Sequence, residues 1–375
     1  MKKQALFPPC CARHFKVKLL AAIILGALAL QAQAFGATAN VDIYGTIHMS
    51  VDSLDSVDSG VSTTLIEARV RGVQAGVGLP NLALFGAHHR SLLDSGLVRS
   101  ANGACAWATA DAARHNSTDT QMELAEVGAC KDIGSSRLGV GIGQAWARQG
   151  WSLGGGAKYD GQYLIAEAAN AFGNGMEASL TGYYGRFDTE MRRHYMNGAS
   201  VDRSTGKPDA KSIALRARLD WKDVAKLGQF SLSPYAAYTR METKLDAYTE
   251  MGGGFPAQFA ASAWHTNDLR VGAAAKTALS GSTDLRLELG AAHRFDSSTN
   301  EVSGYFLGGT GIGGGHEISQ VSNPPNRSEK RTWARATIDV GHRLSSTTAL
   351  TFGVNTASAG GDATWGVTTG LRADF

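Results

Sequence analysis

SIALRARLDW, the stretch at residues 212–221, decides the fold because its apolar and polar residues alternate. One set of alternate positions is apolar and consists of Ile213, Leu215, Ala217, Leu219 and Trp221. The other set is mostly charged or small and consists of Ser212, Ala214, Arg216, Arg218 and Asp220. Successive side chains of a β-strand point to opposite faces, so this period of two predicts a strand with one apolar and one polar face.

The same alternation recurs from about residue 104 to the end of the chain, in stretches separated by turn residues or polar loops. Each of them reaches at least the roughly 9–11 residues with which a tilted strand crosses a bilayer. The predicted strands are 104–114, 121–131, 136–148, 156–171, 175–187, 211–221, 229–243, 264–278, 283–296, 331–344, 348–357 and 363–375. The longest loops then lie near residues 188–210, 246–262 and 297–329, and we expect them to face outward.

The polar face of these strands distinguishes a membrane protein from a soluble one. A soluble β-sandwich, which is the alternative, puts its apolar face inside, whereas a transmembrane barrel turns it to lipid and encloses the polar face. No apolar run approaches the roughly 20 residues of a spanning helix, and a bilayer otherwise accepts only closed barrels. We therefore predict an all-β fold, an antiparallel transmembrane β-barrel of about 12 strands. The charges expected to face its lumen are Arg216, Arg218, Asp220, Arg270, Arg286, Glu288, Arg335, Asp339 and Arg343.

The composition excludes several other classes of protein. Hydrophobic residues make up 43% of the 375 residues, which is typical of a folded chain rather than a disordered one. The net charge is +3, but residues 1–39 hold five basic residues and no acid, which leaves 31 basic and 33 acidic residues after them. No basic patch therefore indicates a nucleic-acid partner.

The first 39 residues have the features of a secretion signal. A basic segment, residues 1–18, precedes the apolar core Leu19–Leu30, whose 12 residues are too short to span a bilayer. Small-residue A-x-A patterns end at Ala34 and at Ala39, so we expect cleavage after residue 34 or 39. The mature chain is predicted to leave the cytoplasm for the outer membrane of a Gram-negative bacterium.

Two cysteines, Cys105 and Cys130, remain once residues 1–39 are removed. They are equidistant from the turn-forming residues 116–119, so a β-hairpin centred on that turn places them opposite each other. In an oxidising compartment this arrangement predicts a disulfide. A metal site would need more ligands than this pair offers.

A short helix is predicted before the barrel, over residues 80–94. Leu82, Phe85, His89 and Leu92 recur there at helical spacing, at i, i+3, i+7 and i+10. His88 and His89 are adjacent, so we expect them to point to different faces, as surface or packing residues rather than as ligands.

The chain carries no motif that indicates catalysis. Gly309, Gly311 and Gly314 match a dinucleotide fingerprint by letters, but they lie in a glycine-rich loop without strand and helix around it. H-E-x-x-H does not occur, and the histidines are scattered. We expect no enzymatic activity, no catalytic residues, no cofactor and no metal.

The carboxyl-terminal half resembles the translocator barrel of autotransporters, the type V secretion proteins. The resemblance is carried by residues 231–259, 267–295, 332–367 and 369–375, which follow the order of that family's closing strands. It implies a twelve-stranded barrel over residues 104–375, a pore helix in its lumen, for which residues 80–94 are the candidate, and a passenger N-terminal to both. Such a barrel provides a pore for the secretion or display of the N-terminal segment. Since only residues 40–103 lie between the signal and the barrel, the passenger is very short or missing.

The last predicted strand carries a second resemblance. Val367, Thr369, Leu371, Ala373 and Phe375 lie on one face and end in a terminal aromatic residue, as in the C-terminal signal that the barrel-assembly machinery reads. An exposed strand edge of this kind binds by β-augmentation. The implied partners are this machinery, periplasmic chaperones, outer-membrane lipid and lipopolysaccharide, and the chain's own N-terminal segment in the lumen of a monomer.

Two alternatives stay open on the sequence. Residues 41–47 resemble the first strand of Gram-negative general porins, which would make the protein a diffusion porin for small hydrophilic solutes or ions, and a trimer. A remnant that still inserts into the membrane but has lost its function is the other. A helix inside the lumen favours the translocator, and its absence favours the channel.

Overall fold

The structure, a computed structural model, describes residues 75–93, 97, 102–299, 302–307, 317–321, 331–358 and 360–375. Three features of the sequence lie outside the described residues: the predicted signal at residues 1–39, the porin-like stretch at residues 41–47 and the glycine motif at residues 309–314.

The described residues form eighteen β-strands. They are β1 (Ala104–His115), β2 (Thr120–Ile133), β3 (Ser136–Gly150), β4 (Gly156–Ala171), β5 (Met176–Asn197), β6 (Ser200–Gly206), β7 (Asp209–Trp221), β8 (Ala225–Leu227), β9 (Phe230–Leu245), β10 (Tyr248–Thr249), β11 (Ala257–Phe259), β12 (Ser262–Ala278), β13 (Thr283–Thr299), β14 (Val302–Phe306), β15 (Glu317–Val321), β16 (Thr332–Arg343), β17 (Thr348–Ala357) and β18 (Trp365–Asp374).

Twelve of these strands close into an antiparallel barrel. The order around it is β1, β2, β3, β4, β5, β7, β9, β12, β13, β16, β17 and β18. The ring closes where β18 pairs with β1. Each barrel strand corresponds to one predicted from the period of two, so the predicted fold class is confirmed.

The two faces of the wall differ as the alternation predicts. In β7, Leu215 is 52% exposed on the outside, whereas the next residue, Arg216, is 1% exposed on the inside. Large apolar residues on the outside of other strands, such as Ile142 and Phe352, are exposed in the same way. Exposed apolar rings and chains around a wall are the surface that lipid covers.

The barrel has two unlike ends. At one of them, which we name the terminal end, β1 begins and β18 ends, and adjacent strands are joined by short turns such as residues 134–135 and 279–282. At the other, the loop end, β5 continues past the wall to Asn197 and the longest connections lie.

The three long loops that were predicted contain strands, which corrects that part of the sequence interpretation. Within residues 188–210, β5 continues and pairs with β6. The other two segments supply β10, β11, β14 and β15, which form a separate four-stranded sheet. These strands have only two to five residues each, and β11 pairs with the distant β14, so no local period reveals them.

Buried polar contacts join β5 and β6 to this small sheet. Arg193 of β5 donates through Nε and Nη2 to the two carboxylate oxygens of Glu250, at 3.1 and 2.6 Å. Ser204 of β6 donates to the carbonyl of Gly252 at 2.8 Å. The loop end is therefore a folded cap rather than a set of free loops.

A helical segment lies inside the barrel. It comprises α1 (residues 75–85) and α2 (Ala87–Leu93), with a bend at Gly86. The predicted helix over residues 80–94 is thus present, and within the described residues it begins at least five residues earlier, at 75. Among the described residues, no helix is both long and apolar enough to span a membrane.

Candidate functional site

The lumen and the helix that occupies it form the candidate functional site. Apolar residues of α1, such as Leu79 and Leu84, are buried in one cluster with lumenal residues including Met122, Tyr159 and Met241. The apolar face of α1 is therefore buried against the barrel wall. The packing matches that of a protein interior, in which buried apolar groups make close contacts on every side.

The bend between α1 and α2 fits closely against β1. The Asp111 carboxylate accepts a hydrogen bond from the backbone N–H of Ala87 at 2.9 Å. A Cβ at Gly86 would lie 2.6 Å from the same oxygen of Asp111 and 2.6 Å from the carbonyl of Leu82. A side chain at this position would collide with both groups, so glycine allows the close approach.

Arginines of the wall hold the carbonyl groups of the bend. Arg216 of β7 donates to the carbonyl of Leu84. Arg335 of β16 donates to the carbonyl of Phe85 at 2.8 Å. Because these strands lie on different sides of the barrel, the helix is held from more than one direction.

The end of α2 is held in the same way. Arg372 of β18 donates to the carbonyls of Ser91, at 3.1 Å, and of Leu92. Arg137 of β3 donates to the carbonyl of Leu92 at 2.8 Å. The last carbonyls of a helix lack intrahelical partners and carry partial negative charge, so guanidinium groups stabilise them.

The phenyl ring of Phe85 lies among three guanidinium groups. Their Cζ atoms lie 3.6 Å (Arg270), 5.3 Å (Arg216) and 5.8 Å (Arg335) from the ring centroid. Cations over an aromatic face are attracted by its quadrupole. The ring therefore adds to the contacts that fix the helix at the bend.

Two buried glutamates pair with the histidines of α2. His88 Nδ1 lies 2.6 Å from Glu126 Oε1, and His88 Nε2 lies 3.3 Å from Glu167 Oε2. His89 Nδ1 lies 2.7 Å from Glu167 Oε1. The two histidines extend in different directions, since His88 also reaches Glu126 of β2 and His89 lies 4.0 Å from Asp220 of β7, and Glu167 lies between them and contacts both.

A wider polar network surrounds these glutamates. Glu126 also accepts hydrogen bonds from Trp107 Nε1, at 2.6 Å, and from the Tyr163 hydroxyl, at 3.1 Å. Glu167 also pairs with Arg216 Nη2 at 3.2 Å. Buried charges are tolerated when they are paired and hydrogen-bonded, as they are here.

A loop residue, Asp362, is the common acceptor of another hydrogen-bond network near the bend. It accepts from Asn81 of α1 at 2.9 Å, from Arg270 at 2.7 Å and from Trp333 at 2.8 Å. Burial alone would raise the pKa of Asp362, but the positive charges of Arg270 and Arg335 lower it well below its usual value. The carboxylate therefore stays charged and keeps Asn81 attached to the wall.

The structure brings together eight of the nine charges expected in the lumen. Several pair with one another: Arg218 with Asp220 at 2.7 Å, and Arg286 with Glu288 at 2.5 Å and with Asp339 at 3.2 Å. Arg216, Arg270 and Arg335 contact the helix, as described above. Arg343 has the same parity but is exposed at the end of β16, where it donates to the carbonyl of Gly281.

Beside the helix, the lumen contains a cavity of about 170 Å³. Phe85 and Arg90 of the helix line one side, and Tyr235, Arg286 and Thr351 of the wall line the other. The helix thus fills the lumen unevenly, with close packing against β1–β4 and free space toward β9–β17.

Cys105 and Cys130 form a disulfide on the lumenal face of the β1–β2 hairpin. They lie directly opposite each other in the strand register, as the spacing from the turn predicts. Both pack with Leu92 and Trp107.

The five residues of the resemblance to an assembly signal lie on the outward parity of the last strand. They include Leu371 and Phe375, which are exposed, whereas Arg372 and Asp374 between them are buried in the lumen. Phe375 also donates its backbone N–H to the carbonyl of Ala104 at 2.9 Å, across the closure of the barrel.

Asp111, Glu126 and Glu167 are lumenal residues that the sequence analysis missed. In β2, acids occur on both faces, with Glu126 buried and Glu123 exposed, so charge alone does not identify the lumenal parity there. Cys130 lies on the same parity as Glu126 and is buried, and this shared parity is the signal that could have placed Glu126 in the lumen. Within the described ranges, no group of three or more histidine, cysteine or acidic side chains is arranged to hold a metal ion.

Comparisons with known proteins find a matching family and similar solved structures. The family model "Autotransporter beta-domain" matches residues 101–355. The translocator domain of the autotransporter NalP from Neisseria meningitidis is similar in structure, with a TM-score of 0.58 and 14% identity over 84% of this chain and 98% of that one. The beta domain of the Bordetella autotransporter Brka gives a TM-score of 0.49 and 16% identity over 72% of this chain and 99% of that one. No curated protein sequence matches the chain.

Proposed function

Since the chain belongs to the autotransporter beta-domain family, we propose that its barrel provides the pore through which its own N-terminal segment is secreted or displayed. The protein is an outer-membrane autotransporter barrel, and the general porin is the less favoured reading. The helix then remains in the lumen as a plug. The segment that is secreted or displayed lies before the helix, and residues 1–39 are the signal for export.

The observation that carries this proposal is the occupied lumen. Side chains from β1, β2, β3, β4, β7, β16 and β18 contact the helix through buried hydrogen bonds and ion pairs. A diffusion porin needs a continuous aqueous passage, and a helix fastened on several sides obstructs it.

The direction of the helix fits display at the cell surface. Gly76 lies toward the loop end, near Thr243 and Ser212, and α2 ends toward the terminal end, near Arg137 and Arg372. Bacterial barrels have short periplasmic turns and longer extracellular loops, which puts the loop end outside. The N-terminal end of the helix therefore faces the extracellular side, which is what display of the preceding segment requires.

Assembly of such a barrel involves the outer-membrane assembly machinery. We propose that Val367, Thr369, Leu371, Ala373 and Phe375 are what this machinery recognises. Their alternate side chains face outward, and before β18 pairs with β1 the backbone along that edge is free to offer hydrogen bonds, which is the arrangement that β-augmentation uses.

Single-channel conductance in a planar bilayer tests the plug. We expect low conductance from the intact barrel and a severalfold rise when residues 40–95 are deleted, because the deletion removes the helix and all its contacts. Deletion of residues 40–74 alone is the matched control, since it shortens the chain but leaves the described helix, and it should stay at the low level. Equal, large conductance in all three proteins would identify an open channel and contradict the proposal.

A further inference from the structure

The disulfide is placed where a finished barrel conceals it. Cys105 is 3% exposed and Cys130 is 7% exposed, and both side chains lie on the lumenal face near the terminal end. On the outer face of the same hairpin, the neighbouring residue Ala129 is exposed. A disulfide at that position would therefore have been accessible. The bond is on the concealed face of its hairpin.

The end of the helix covers the disulfide from inside the lumen. Leu92 is buried against both cysteines and against Trp107, and Leu93 packs against the same cluster. The carbonyl of Leu92 is held by Arg137 and by Arg372, which belongs to the last strand. The cover is therefore complete only when β18 has closed on β1 and the helix has docked.

Oxidation of two thiols needs access to sulfur. A thiolate must attack an oxidant disulfide in a mixed-disulfide step, and the second thiol then displaces the oxidant, which leaves as a dithiol with the two electrons. An enzyme that carries such a disulfide is too large for the space between Leu92 and the wall, where the sulfurs are buried. We propose that a periplasmic thiol oxidase acts on Cys105 and Cys130 while the chain is still unassembled, before β18 closes the barrel.

This order gives the bond a role in assembly. Cross-linking in the observed register requires both cysteines to face the same side, and a slip of one residue would turn one of them to the outer face. The oxidised hairpin thus has a fixed register, and the free edge of β1 is the edge on which β18 later pairs. The barrel then closes on a strand whose position is already set.

Trapping thiols in cells tests the order of events. In cells whose barrel-assembly machinery is depleted, the exported chain should accumulate in a protease-sensitive form. Pulse labelling followed by alkylation should show that Cys105 and Cys130 of this chain are already joined in a disulfide and are therefore not alkylated. If both thiols are alkylated in that chain and become protected only with the protease-resistant barrel, the proposal is overturned.

A second measurement uses the purified protein and oxidised glutathione as the probe. Chain refolded under reducing conditions should form the bond about a hundredfold more slowly, or not at all, compared with the same chain in urea, because buried thiols react slowly. Equal rates in the folded and unfolded states would overturn the proposal.

A matched control places the pair at the accessible end of the same hairpin. Arg114 and Gln121 are also directly opposite each other, and both lie on the outward parity near the loop end. In a C105S/C130S background, R114C/Q121C should oxidise at comparable rates in folded and unfolded protein. Trapping reports when the bond forms, whereas conductance reports what fills the finished lumen, so a failure of this proposal and a failure of the plug are distinguishable.

Discussion

The inner and outer faces of the barrel wall are built from the same strands and obey opposite rules. In β7, Leu215 faces outward and Arg216 inward, although they are adjacent in the chain. The outer face is apolar and needs no specific partner, because lipid covers it. The inner face is charged, and its ion pairs depend on particular residues, some two positions away in the same strand, such as Arg218 and Asp220, and others on another strand or the helix, such as Glu167 and His89. The outer face therefore determines that the barrel lies in a membrane, whereas the inner face determines which segment binds in the lumen.

The largest expected effect concerns the outward parity of the last strand. Deletion of Phe375 should leave an unassembled, protease-sensitive chain in the periplasm, because it removes the terminal aromatic residue from the face that we propose the assembly machinery reads. Phe375→Ala, which keeps the backbone bond to Ala104, separates the side chain from that bond, and Phe375→Tyr is the conservative control. Heat-modifiable migration on gels measures assembly, and a normal barrel in the outer membrane after the deletion would reject the proposed signal.

Removing an inner charge should have the next largest effect. Glu167→Ala leaves Arg216 and two histidines without their shared carboxylate, and loss of one partner from a buried pair typically costs about 3–5 kcal/mol. Glu123→Ala removes the same group from the exposed outer face of β2 and should change the free energy of unfolding by less than about 0.5 kcal/mol. Urea unfolding in detergent or vesicles gives both values. Similar values for the two variants would mean that the two faces do not differ as described.

A charge added to the outer face should have a somewhat smaller effect. Leu215→Arg puts a guanidinium group near the middle of β7, and at the centre of a bilayer this costs about 2–4 kcal/mol. Leu215→Met keeps the side chain apolar and should be close to neutral. Equilibrium unfolding from lipid vesicles measures the cost, and a stability unchanged by arginine would show that this position does not face the hydrocarbon.

The outer face is also the part of the molecule that sequence predicts well. The alternation in residues 212–221 and its repeats specify twelve strands, because lipid imposes the same apolar requirement on every second residue wherever a strand crosses. The cysteine pair follows from the same logic, since equal distances from one turn define a register within a hairpin. Arg343 shows the limit, because its parity is lumenal but its place at the end of β16 leaves it exposed.

The inner face and the loop end could not be predicted in this way. His88 and His89 both reach Glu167 only because β4 passes beside α2 in the closed barrel. The sheet formed by β10, β11, β14 and β15 joins segments that are far apart in the chain. Pairings of this kind depend on which strands become neighbours, and neither residue of such a pair carries a local signal of the other.

By itself, then, the sequence determined that this chain forms a closed membrane barrel, how many strands build it and which face of each strand meets lipid. The physical reason is that burial in a bilayer acts on each strand separately and leaves a period of two in the residues. Only the tertiary structure decided which lumenal side chains hold the helix, where Phe85 meets its three arginines, and that the disulfide lies beneath the end of the helix. These features form only when strands that are distant in the chain close around the lumen. The stabilising interactions are between pairs of residues, so no single stretch of sequence shows them.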